Sequence, residues 1–586
     1  MALAAAIVAA ALASAPAPAA TPALPSEVVS PLAGTPDAMP GTQISFLGAP
    51  ASDLRDIVVH GSLSGYHGGQ LEPYSTGNGA SFVPYDAFES GETVTVTATL
   101  ASGSAQQQIG TTFTVGDPYA LTHPTPLKKI PATATNVMHF HSRHDLQPPA
   151  VTVTTPAADP GLGDILISPD SGPGQPGPMI VTPAGSLVWF DPLSKGETAF
   201  DLDVQRYRGQ RALTWWQGEI IAGHGQGEDV IADDHYRTLA VVRAGNGLDA
   251  DLHAFEITGA TAWISAYEPE HMNLSADGGL ADGLIDDCVI QEIDIRTGLV
   301  MFEWHALGHV PLSDAYTHPQ HTPGEIFDWF HLNSIDPQPG GNLLISSRNT
   351  WTVYMISTQT GAIEWQVGGR QSTIALPAGV RFAWQHDATL LPGDVLSVFD
   401  NEAGPAEAAQ SRGLELALDL TSRTASVVRT LTYPAPGIRT DSQGDVQWLA
   451  NGDALVGWGQ VGEVSEFSPT GALTFDMHLA PPAGSYRAVR VPWSGQPLDQ
   501  PALAAAAYGA HRTQLYASWN GATDVARWRV LAGSTPTRLA AVGSYAVRGF
   551  ETPIGAPTAA RYVRVQALSA SGALLRSSPV VAVKGR

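Results

Sequence analysis

RTGLVMFEW, residues 296–304, contains the unit from which the fold of this chain can be predicted. A polar pair and a glycine make a turn, and a short apolar strand with aromatic residues follows. The same order occurs in TPAGSLVWF (182–190), QTGAIEWQV (359–367) and SPTGALTFD (468–476). Successive units are two, one and two repeats of roughly 50 to 60 residues apart, measured between Gly185, Gly298, Gly361 and Gly471.

A second kind of strand accompanies the first. It occurs in GGNLLISSR (340–348), LPGDVLSVFD (391–400) and NGDALVGWG (451–459), and weaker members of the first kind lie at 243–255 and 421–428. Repeated units of about four short strands and roughly 40 to 55 residues are typical of β-propellers. The count predicts an all-β protein with a six-bladed β-propeller over residues 150–495. A pair of β-sandwiches is the alternative fold.

The two ends of the chain have strand patterns without this repeat. Residues 26–116 contain short alternating strands between Gly/Ser turns, which predicts an Ig-like β-sandwich. Residues 117–149 break every periodicity and are predicted to form a linker. Residues 496–586 have the aromatic alternation of a fibronectin type III-like β-sandwich, so three folded parts are expected.

The first residues indicate export. Residues 1–25 combine an apolar run, an Ala-x-Ala site at Ala13–Ala15 and a Pro/Ala-rich spacer, which predicts a signal peptide and a secreted protein. The run lacks the usual Lys or Arg, and a low-complexity tail is the alternative. No later stretch has about 18 uninterrupted apolar residues, so no membrane-spanning helix is expected. The single cysteine, Cys288, allows no internal disulfide.

The charge of the chain limits its partners. The formal net charge is −25, so nucleic acid is not expected to bind, because phosphates require a basic face. An anionic substrate is also repelled at long range unless its site is locally positive. A small anionic ligand is therefore expected to bind a cluster of cationic side chains.

Three histidines and one arginine are candidates for such a cluster. His253, His331 and His386 are predicted to be embedded in patterned strands, and Arg348 ends the strand that follows the second of them. Equivalent edges of propeller blades converge on the central channel, so these residues can face one another. Arginine suits a tetrahedral oxyanion, and neutral imidazole can attack an electrophile or move a proton. The set predicts transfer of an anionic group; packing histidines and a zinc site are the alternatives.

Five segments together resemble the arylsulfotransferase family, in the branch common in actinobacteria and fungi. They are DLHAFEIT, QEIDIRTGLVMFEWHALGHVPLSDAY, DWFHLNSIDPQPGGNLLISSRNTWTVYMI, GAIEWQVGG and RFAWQHDATLLPGDVLSVFDN, within roughly residues 140–495. The resemblance implies a six-bladed propeller that moves a sulfuryl group from a phenolic sulfate ester to a phenol by a ping-pong route, without a nucleotide donor. No cofactor is expected. A secreted propeller that binds ligands without catalysis is the alternative function.

The resemblance also implies roles for single residues. His386 is similar in position to the nucleophile that becomes sulfated on nitrogen. His253 and His331 correspond to the other two active-site histidines, which act as general acid and base in an order left open. Arg348 corresponds to the sulfate-binding arginine. Asn333 is implied as a further hydrogen-bond donor to the sulfuryl group.

Other residues near these motifs raise separate questions. Tryptophans are candidates for stacking on the aromatic rings of donor and acceptor, namely Trp215, Trp216 and Trp384. Asp387 stands where well-studied bacterial members of the family have a small hydroxyl residue, and its carboxylate either charges His386 or points away along the strand.

Two segments suggest metal binding at first sight. The histidines of the first are His139, His141 and His144, and they fit the family's entry into the propeller better than a metal site. The second, HGQGEDVIADDHYR (224–237), lacks the spacing of a calcium loop and is predicted to be a solvated turn. No metal is therefore expected, and the sequence leaves the donor, the acceptor and the oligomeric state open.

Overall fold

The computed structural model describes residues 27–102 and 105–585, and the signal peptide and spacer predicted at 1–25 lie outside the described residues. The described chain is all β apart from short 3-10 helices. These helices are Ala51–Asp53, Pro160–Leu162, Ser275–Asp277, Leu312–Asp314 and Gly459–Val461. Among these residues no helix has the length and apolar character needed to cross a membrane.

Two antiparallel sheets form the N-terminal part. Its strands are β1 Val28–Ser30, β2 Ile44–Leu47, β3 Leu54–Gly61, β4 Gly65–His67, β5 Gly69–Pro73, β6 Gly79–Pro84, β7 Thr93–Ser102 and β8 Ala105–Thr114. One sheet has the order β1-β2-β6-β5 and the other the order β4-β3-β7-β8. Both contribute to one core around Phe46 and Phe113. Two sheets sharing a core are expected of a β-sandwich, and the Ig-like assignment stays a prediction.

The middle of the chain contributes the largest set of strands. They are β9 Lys129–Ile130, β10 Val151–Thr155, β11 Asp164–Pro169, β12 Gly172–Pro173, β13 Met179–Val181, β14 Leu187–Phe190, β15 Thr198–Tyr207, β16 Gln210–Ile221, β17 His224–Ala232, β18 Thr238–Val242, β19 Phe255–Thr258, β20 Thr261–Met272, β21 Gly283–Asp294, β22 Val300–His305, β23 Ile326–Asp328, β24 Leu332–Pro337, β25 Leu343–Ser347, β26 Thr352–Ile356, β27 Ile363–Gly368, β28 His386–Leu391, β29 Val395–Asp400, β30 Arg412–Asp419, β31 Thr424–Leu431, β32 Asp445–Trp448, β33 Ala454–Gly457, β34 Glu463–Phe467, β35 Leu473–Leu479 and β36 Ser485–Val491.

Six sheets built from these strands form a closed ring. Sheet 1 is β36-β11-β13-β14, sheet 2 is β15-β16-β17-β18, sheet 3 is β19-β20-β21-β22 with β23 beside β21, sheet 4 is β24-β25-β26-β27, sheet 5 is β28-β29-β30-β31 and sheet 6 is β32-β33-β34-β35-β10. The first-named strands contact one another in a circle, from β36 through β15, β19, β24, β28 and β32 back to β36. The ring closes twice, because β36 pairs with β11 and β10 pairs with β35. This arrangement is consistent with a β-propeller.

The repeat that was read from the sequence corresponds to the outer strands of the ring. The four glycines have left-handed backbone, with φ of 76° at Gly185, 74° at Gly298, 73° at Gly361 and 81° at Gly471. Any side chain is strained there, so glycine is required for the turn that precedes each strand. The weak member at 421–428 overlaps β31, but 243–255 is a loop up to its last residue, so a strand there was a wrong prediction.

Packing explains why the ring strands are so apolar. Every residue of β25 and of β26 is buried. Neighbouring sheets cover both of their faces, and strands covered on both sides need continuous rather than alternating apolar residues.

Two further sheets form the C-terminal part. Its strands are β37 Ala502–Tyr508, β38 Arg512–Ser518, β39 Arg527–Thr535, β40 Arg538–Ala546, β41 Glu551–Ala556, β42 Tyr562–Leu568, β43 Leu574–Ser577 and β44 Val581–Ala582. The orders are β37-β38-β41 and β40-β39-β42-β43, with β44 beside β42. They enclose a core that includes Trp528. The sheets suit a β-sandwich, and the fibronectin type III-like assignment stays a prediction.

Candidate active site

Three consecutive sheets of the ring each bring one histidine to the start of their innermost strand. His253 lies two residues before β19, His331 directly precedes β24, and His386 is the first residue of β28. The prediction that all three are embedded in strands is therefore wrong for His253 and His331. Because the innermost strands line the centre of the ring, their first residues can meet there, and the rings of His253 and His331 have centroids 5.0 Å apart.

Two tyrosines lie between the histidines. The ring centroid of Tyr486 in β36 is 5.5 Å from that of His253 and 6.4 Å from that of His386. The centroid of Tyr267 in β20 is 5.8 Å from that of His253 and 6.0 Å from that of His331. Both hydroxyl groups donate to backbone carbonyls of β24, at 2.9 and 2.7 Å. The tyrosines therefore form walls of the site, and their hydroxyls are already used in hydrogen bonds.

Hydrogen bonds select one tautomer of His386. Its Nδ1 lies 2.8 Å from Oδ1 of Asn401 and 3.1 Å from the carbonyl of Trp384. Nδ2 of Asn401 donates hydrogen bonds to the carbonyls of Thr440 and Gln443 at 3.2 and 2.9 Å. Exchanging the oxygen and nitrogen of this amide would break both bonds. Oδ1 must therefore accept, which places the proton of neutral His386 on Nδ1. The lone pair is left on Nε2.

Burial keeps His386 neutral. The side chain is 2% exposed, and this burial lowers the pKa of His386 well below its usual value. The positive charge of Arg348 lowers the pKa further, while the hydrogen bond that His386 donates to Asn401 acts in the opposite direction. Nε2 accepts a hydrogen bond of 3.2 Å from the backbone N–H of Gln443. A neutral imidazole with its Nε2 lone pair facing a single weak donor has the form that a nucleophile requires.

Arg348 carries a positive charge that no side chain neutralises. Within the residues that the structure describes, no carboxylate lies within ion-pair distance of its guanidinium. It donates to Oδ1 of Asn349 at 2.9 Å and to the carbonyls of Asp441 and Gly404 at 3.0 and 3.4 Å. Its Cζ lies 4.9 Å from the ring centroid of Trp384. The guanidinium is thus positioned by neutral groups and can attract an anion.

The other two histidines are each paired with an aspartate nearby in sequence. Nδ1 of His253 lies 2.6 Å from Oδ2 of Asp251, and Nδ1 of His331 lies 2.5 Å from Oδ2 of Asp328. Burial acts to raise the pKa of Asp251, but the charge and hydrogen bond of His253 outweigh it and lower the pKa to about 2. Burial lowers the pKa of His331 to about 4, although Asp328 opposes this effect. In both imidazoles Nδ1 is bonded to a carboxylate, so Nε2 faces away from that carboxylate.

A fourth histidine belongs to the site and was missed in the sequence. His224 begins β17, is buried rather than solvated, and stacks on Tyr267 with centroids 3.9 Å apart. Its Nδ1 lies 3.4 Å from Asp286 and its Nε2 lies 3.7 Å from Asp328. Burial acts to lower the pKa of His224, but Asp286 and Asp328 outweigh it and raise the pKa to about 9. The solvated turn predicted for 224–237 is therefore wrong over His224–Ala232, which form the largely buried strand β17, and only the last five residues are a turn.

The aspartates were accessible to sequence reasoning even though His224 was not. The segments DADLHAF and DWFH contain Asp two and three positions before His253 and His331, and these are the carboxylates that pair with them. Donor atoms of His224, Asp328 and His331 lie within 4.8 Å of one another, so this part of the site could hold a metal ion.

The side chains of Asn333 and Asp387 both form hydrogen bonds with backbone groups. Asn333 is fully buried, and its Nδ2 donates to the carbonyl of Gln385, directly before His386. A contact of Asn333 with a substrate stays a prediction. Asp387 accepts from the N–H of Val446 at 3.0 Å, and its Oδ1 lies 3.4 Å from Nε of Arg487. Of the two alternatives for Asp387, the structure has the carboxylate that points away from His386.

The three tryptophans of the prediction lie in different places. Trp215 is 4% exposed in the core shared by sheets 1 and 2. Trp216 is 1% exposed in a core between sheets, and its Nε1 donates to the carbonyl of Ala250 at 2.8 Å. Its ring is therefore unavailable to a substrate, and the predicted substrate contact of Trp216 is wrong. Trp384 lies beside Arg348, and its ring is 5.1 Å from that of Trp351 in an edge-on contact. Trp384 is also buried, at 2% exposed, but of the three tryptophans it is the one that lies beside Arg348 and borders the site.

A pocket of ≈ 420 Å³ touches one edge of the histidine cluster. It includes His224 and Tyr267 and is bounded on the other side by Pro118 to Leu121 of the predicted linker. His386 is not among the residues that line this pocket. The three histidines of the 139–144 segment line a separate pocket, where His141 stacks on Tyr516 with ring centroids 3.8 Å apart and its Nδ1 lies 3.2 Å from Oε2 of Glu551.

Comparison with known proteins identifies one domain. Residues 203–480, a little under half of the chain, match the sequence model of the arylsulfotransferase (ASST) family and therefore contain a domain of that family. They include most of sheets 2 to 6 and all seven residues predicted for the site. The comparison does not distinguish branches of the family. No curated protein matches the chain.

Solved structures give only distant likenesses. A protein of unknown function from Bacteroides caccae is 14% identical, with 56% of this chain and 99% of that chain covered and a TM-score of 0.34. A quinonprotein alcohol dehydrogenase-like protein from Bacteroides thetaiotaomicron is 8% identical, with 79% and 99% covered and a TM-score of 0.27. With scores this low, neither likeness supports a conclusion about this chain.

Proposed function

We propose, from the arylsulfotransferase (ASST) domain at residues 203–480, that this protein transfers a sulfuryl group from an aryl sulfate ester to an acceptor phenol. The observation that carries the proposal is the Nδ1–H tautomer of buried, neutral His386 beside the unpaired charge of Arg348. A lone pair next to a fixed cation is the combination needed to attack an anionic sulfate ester.

The first half-reaction uses Nε2 of His386. Nε2 attacks sulfur, an S–N bond forms, and the S–O bond to the aryl group breaks, so the phenolate departs with that electron pair. The weak hydrogen bond from Gln443 N–H is given up as sulfur approaches. Arg348 binds the sulfuryl oxygens and offsets the charge that spreads over them in the transition state. The product is a sulfohistidine, whose positive ring gives its Nδ1 proton a stronger hydrogen bond to Asn401.

The second half-reaction returns the enzyme to its starting state. An acceptor phenol loses its proton and its oxygen attacks sulfur, so the S–N bond breaks and the electron pair returns to Nε2. The proton given to the first phenolate and taken from the second phenol passes through His253 or His331, which their aspartates orient. Such an order is ping-pong and needs no cofactor.

The finer assignments belong to the same proposal. We assign the six-sheet ring to a six-bladed propeller of the actinobacterial and fungal branch, with an Ig-like part before it and a fibronectin type III-like part after it. We also propose that the apolar run at 1–25 exports the protein. Asn333 supports the backbone before His386, and Trp384 provides an aromatic face for a donor or acceptor ring.

The test uses 4-nitrophenyl sulfate as donor with excess phenol as acceptor. Wild-type protein is expected to release nitrophenol and form phenyl sulfate, whereas His386→Ala loses at least roughly 10³-fold in rate. The matched control is His321→Ala, which changes an exposed histidine and is expected to retain wild-type activity. Equal rates in wild-type and His386→Ala would reject His386 as nucleophile.

Covalent labelling separates the enzyme from a non-catalytic binding protein. After mixing with donor alone, an acid-labile sulfuryl label is expected on one peptide that contains His386. Binding of aryl sulfate without turnover and without label would instead support the non-catalytic propeller.

A further inference from the structure

A second group of ionisable residues lies where the N-terminal sheets meet sheet 3 of the ring. Asp37 comes from the loop between β1 and β2, Glu268 from β20, and His305 ends β22. Each is 1% exposed. Donor atoms of the three residues lie within 4.8 Å of one another, which is close enough to share one metal ion. The group shares no residue with the proposed active site.

His305 is oriented as metal-binding histidines usually are. Its Nε2 lies 3.1 Å from Oε1 of Glu303, and the other oxygen of that carboxylate accepts from the amides of Gln291 and Asn246 at 2.6 and 2.8 Å. A carboxylate that holds the far nitrogen of an imidazole fixes the tautomer and strengthens the near nitrogen as a ligand. Nδ1 is then directed at the carboxylates.

The distances around Nδ1, one of them a hydrogen bond to Asp287, also equal the ligand spacing of an octahedral cation. Nδ1 of His305 lies 3.1 Å from Oδ1 of Asp37 and 3.0 Å from Oδ2 of Asp287. Neighbouring ligands of an octahedral cation with bonds of about 2.1 Å are about 3.0 Å apart. Among the described residues, both carboxylate oxygens of Glu268 and Oε1 of Glu270 have no hydrogen-bond partner, although these residues are buried.

The carboxylates converge on a position that only glycine leaves open. A Cβ on Gly116 would lie 2.7 Å from Oε2 of Glu270 and 3.3 Å from Oε1 of Glu268. Four carboxylates, those of Asp37, Glu268, Glu270 and Asp287, thus face one imidazole in a buried space. These buried carboxylates must be neutralised by a cation or by protons, since unpaired buried charge is costly.

We propose that Asp37, Glu268 and His305, with Glu270 and Asp287, bind one divalent metal ion that joins the N-terminal sheets to the ring. Several carboxylates with one imidazole in octahedral spacing suit Mn²⁺ best. The bound ion neutralises the cluster and ties the β1–β2 loop to sheet 3. This differs from the expectation of no metal, which was drawn from other segments.

The test measures metal content and thermal stability of the full-length protein. Protein stripped with chelator and then dialysed with MnCl₂ is expected to retain one Mn²⁺ per chain by mass spectrometry and to unfold at a higher Tm than the stripped protein. CaCl₂ and ZnCl₂ serve as parallel arms. Tightest binding of either ion at this site would keep the site and replace Mn²⁺ as its occupant.

Two variants locate the ion. Glu268→Gln keeps the shape but removes a ligand charge, and Asp37→Asn does the same in the N-terminal part; each is expected to weaken Mn²⁺ binding at least tenfold. Glu268→Gln should fold, because it removes one buried negative charge. Its Tm should be the same with and without added metal. The matched control is the exposed Glu325→Gln, which should bind like wild type.

Three results would overturn the proposal. The first is a stripped wild-type protein whose Tm responds to none of the three ions, which indicates neutralisation by protons. The second is Glu268→Gln that binds metal as tightly as wild type. The third is metal that persists in Glu268→Gln but is lost in His331→Ala, which places the ion in the histidine site. Sulfuryl transfer is not measured, so the outcome is independent of the proposed function.

Discussion

Asn401 offers the sharpest test of how His386 is prepared for catalysis, because a single atom replacement adds a charge beside it. Asn401→Asp puts a carboxylate where Oδ1 lies 2.8 Å from Nδ1. At an effective dielectric constant of about 20, a full charge pair at this distance attracts by about 6 kcal/mol. The carboxylate has its own desolvation cost, so the net increase expected in the pKa of His386 is about 1 to 3 units.

The sign of the effect on activity follows from the chemistry. His386 in the wild type has a pKa well below its usual value, so it is neutral throughout the neutral range and its activity does not depend on its own protonation there. When the pKa rises, His386 becomes protonated at low pH and loses the Nε2 lone pair. The acid limb of the pH–rate profile should therefore shift upward by about 1 to 3 pH units, with a tenfold loss of rate per unit below it.

The assay is the pH dependence of kcat/KM with 4-nitrophenyl sulfate, measured from about pH 3 to pH 9 so that the acid limbs of both proteins fall within the range. Asn401→Ala is the matched control, because it loses the same bonds to Thr440 and Gln443 without adding a charge. It should reduce the rate about tenfold, equivalent to about 1.4 kcal/mol, with no upward shift of the acid limb. A folded Asn401→Asp protein with the acid limb of wild type would refute the assignment of neutral His386 as nucleophile.

Three further predictions concern the arginine, the two histidine–aspartate pairs and a turn glycine. Arg348→Lys keeps the charge but loses the planar fork, and steady-state kinetics should show a roughly 10²-fold or greater fall in kcat/KM; a change under threefold would contradict sulfuryl binding by the guanidinium. Of His253→Ala and His331→Ala, the variant that removes the general acid should lose far more activity on phenyl sulfate than on 4-nitrophenyl sulfate, because nitrophenolate leaves without a proton; equal losses on both donors in both variants would exclude either as general acid. Gly298→Ala should lower the free energy of unfolding by about 1 to 2 kcal/mol in denaturant titrations, since φ is 74° and no neighbouring atom obstructs the added carbon; an unchanged value would mean that left-handed backbone is not what requires this glycine.

The outer strands of the ring could be predicted because their signal is local. A turn with left-handed backbone at Gly298 or Gly361 needs glycine whatever surrounds it, and an apolar strand must follow if neighbouring sheets cover it. The same local reasoning failed at 243–255, where the pattern contains a loop that positions Asp251 and His253. The conformation of that loop is set by its contacts at the centre of the ring, and these contacts are made with residues distant in sequence.

By itself, the sequence determined the all-β class, the repeat and the three histidines with their arginine, since these depend on residue types and short spacings. Only the tertiary structure decided the chemistry of each. The tautomer of His386 depends on Asn401, which directly follows β29. The carboxylates that hold His224 come from β21 of sheet 3 and from β23 beside it. It also placed Trp216 in the core and brought Asp37 to His305. Proton positions and charge are set by burial and by neighbours within a few ångströms, and these neighbours are brought together only when the ring closes.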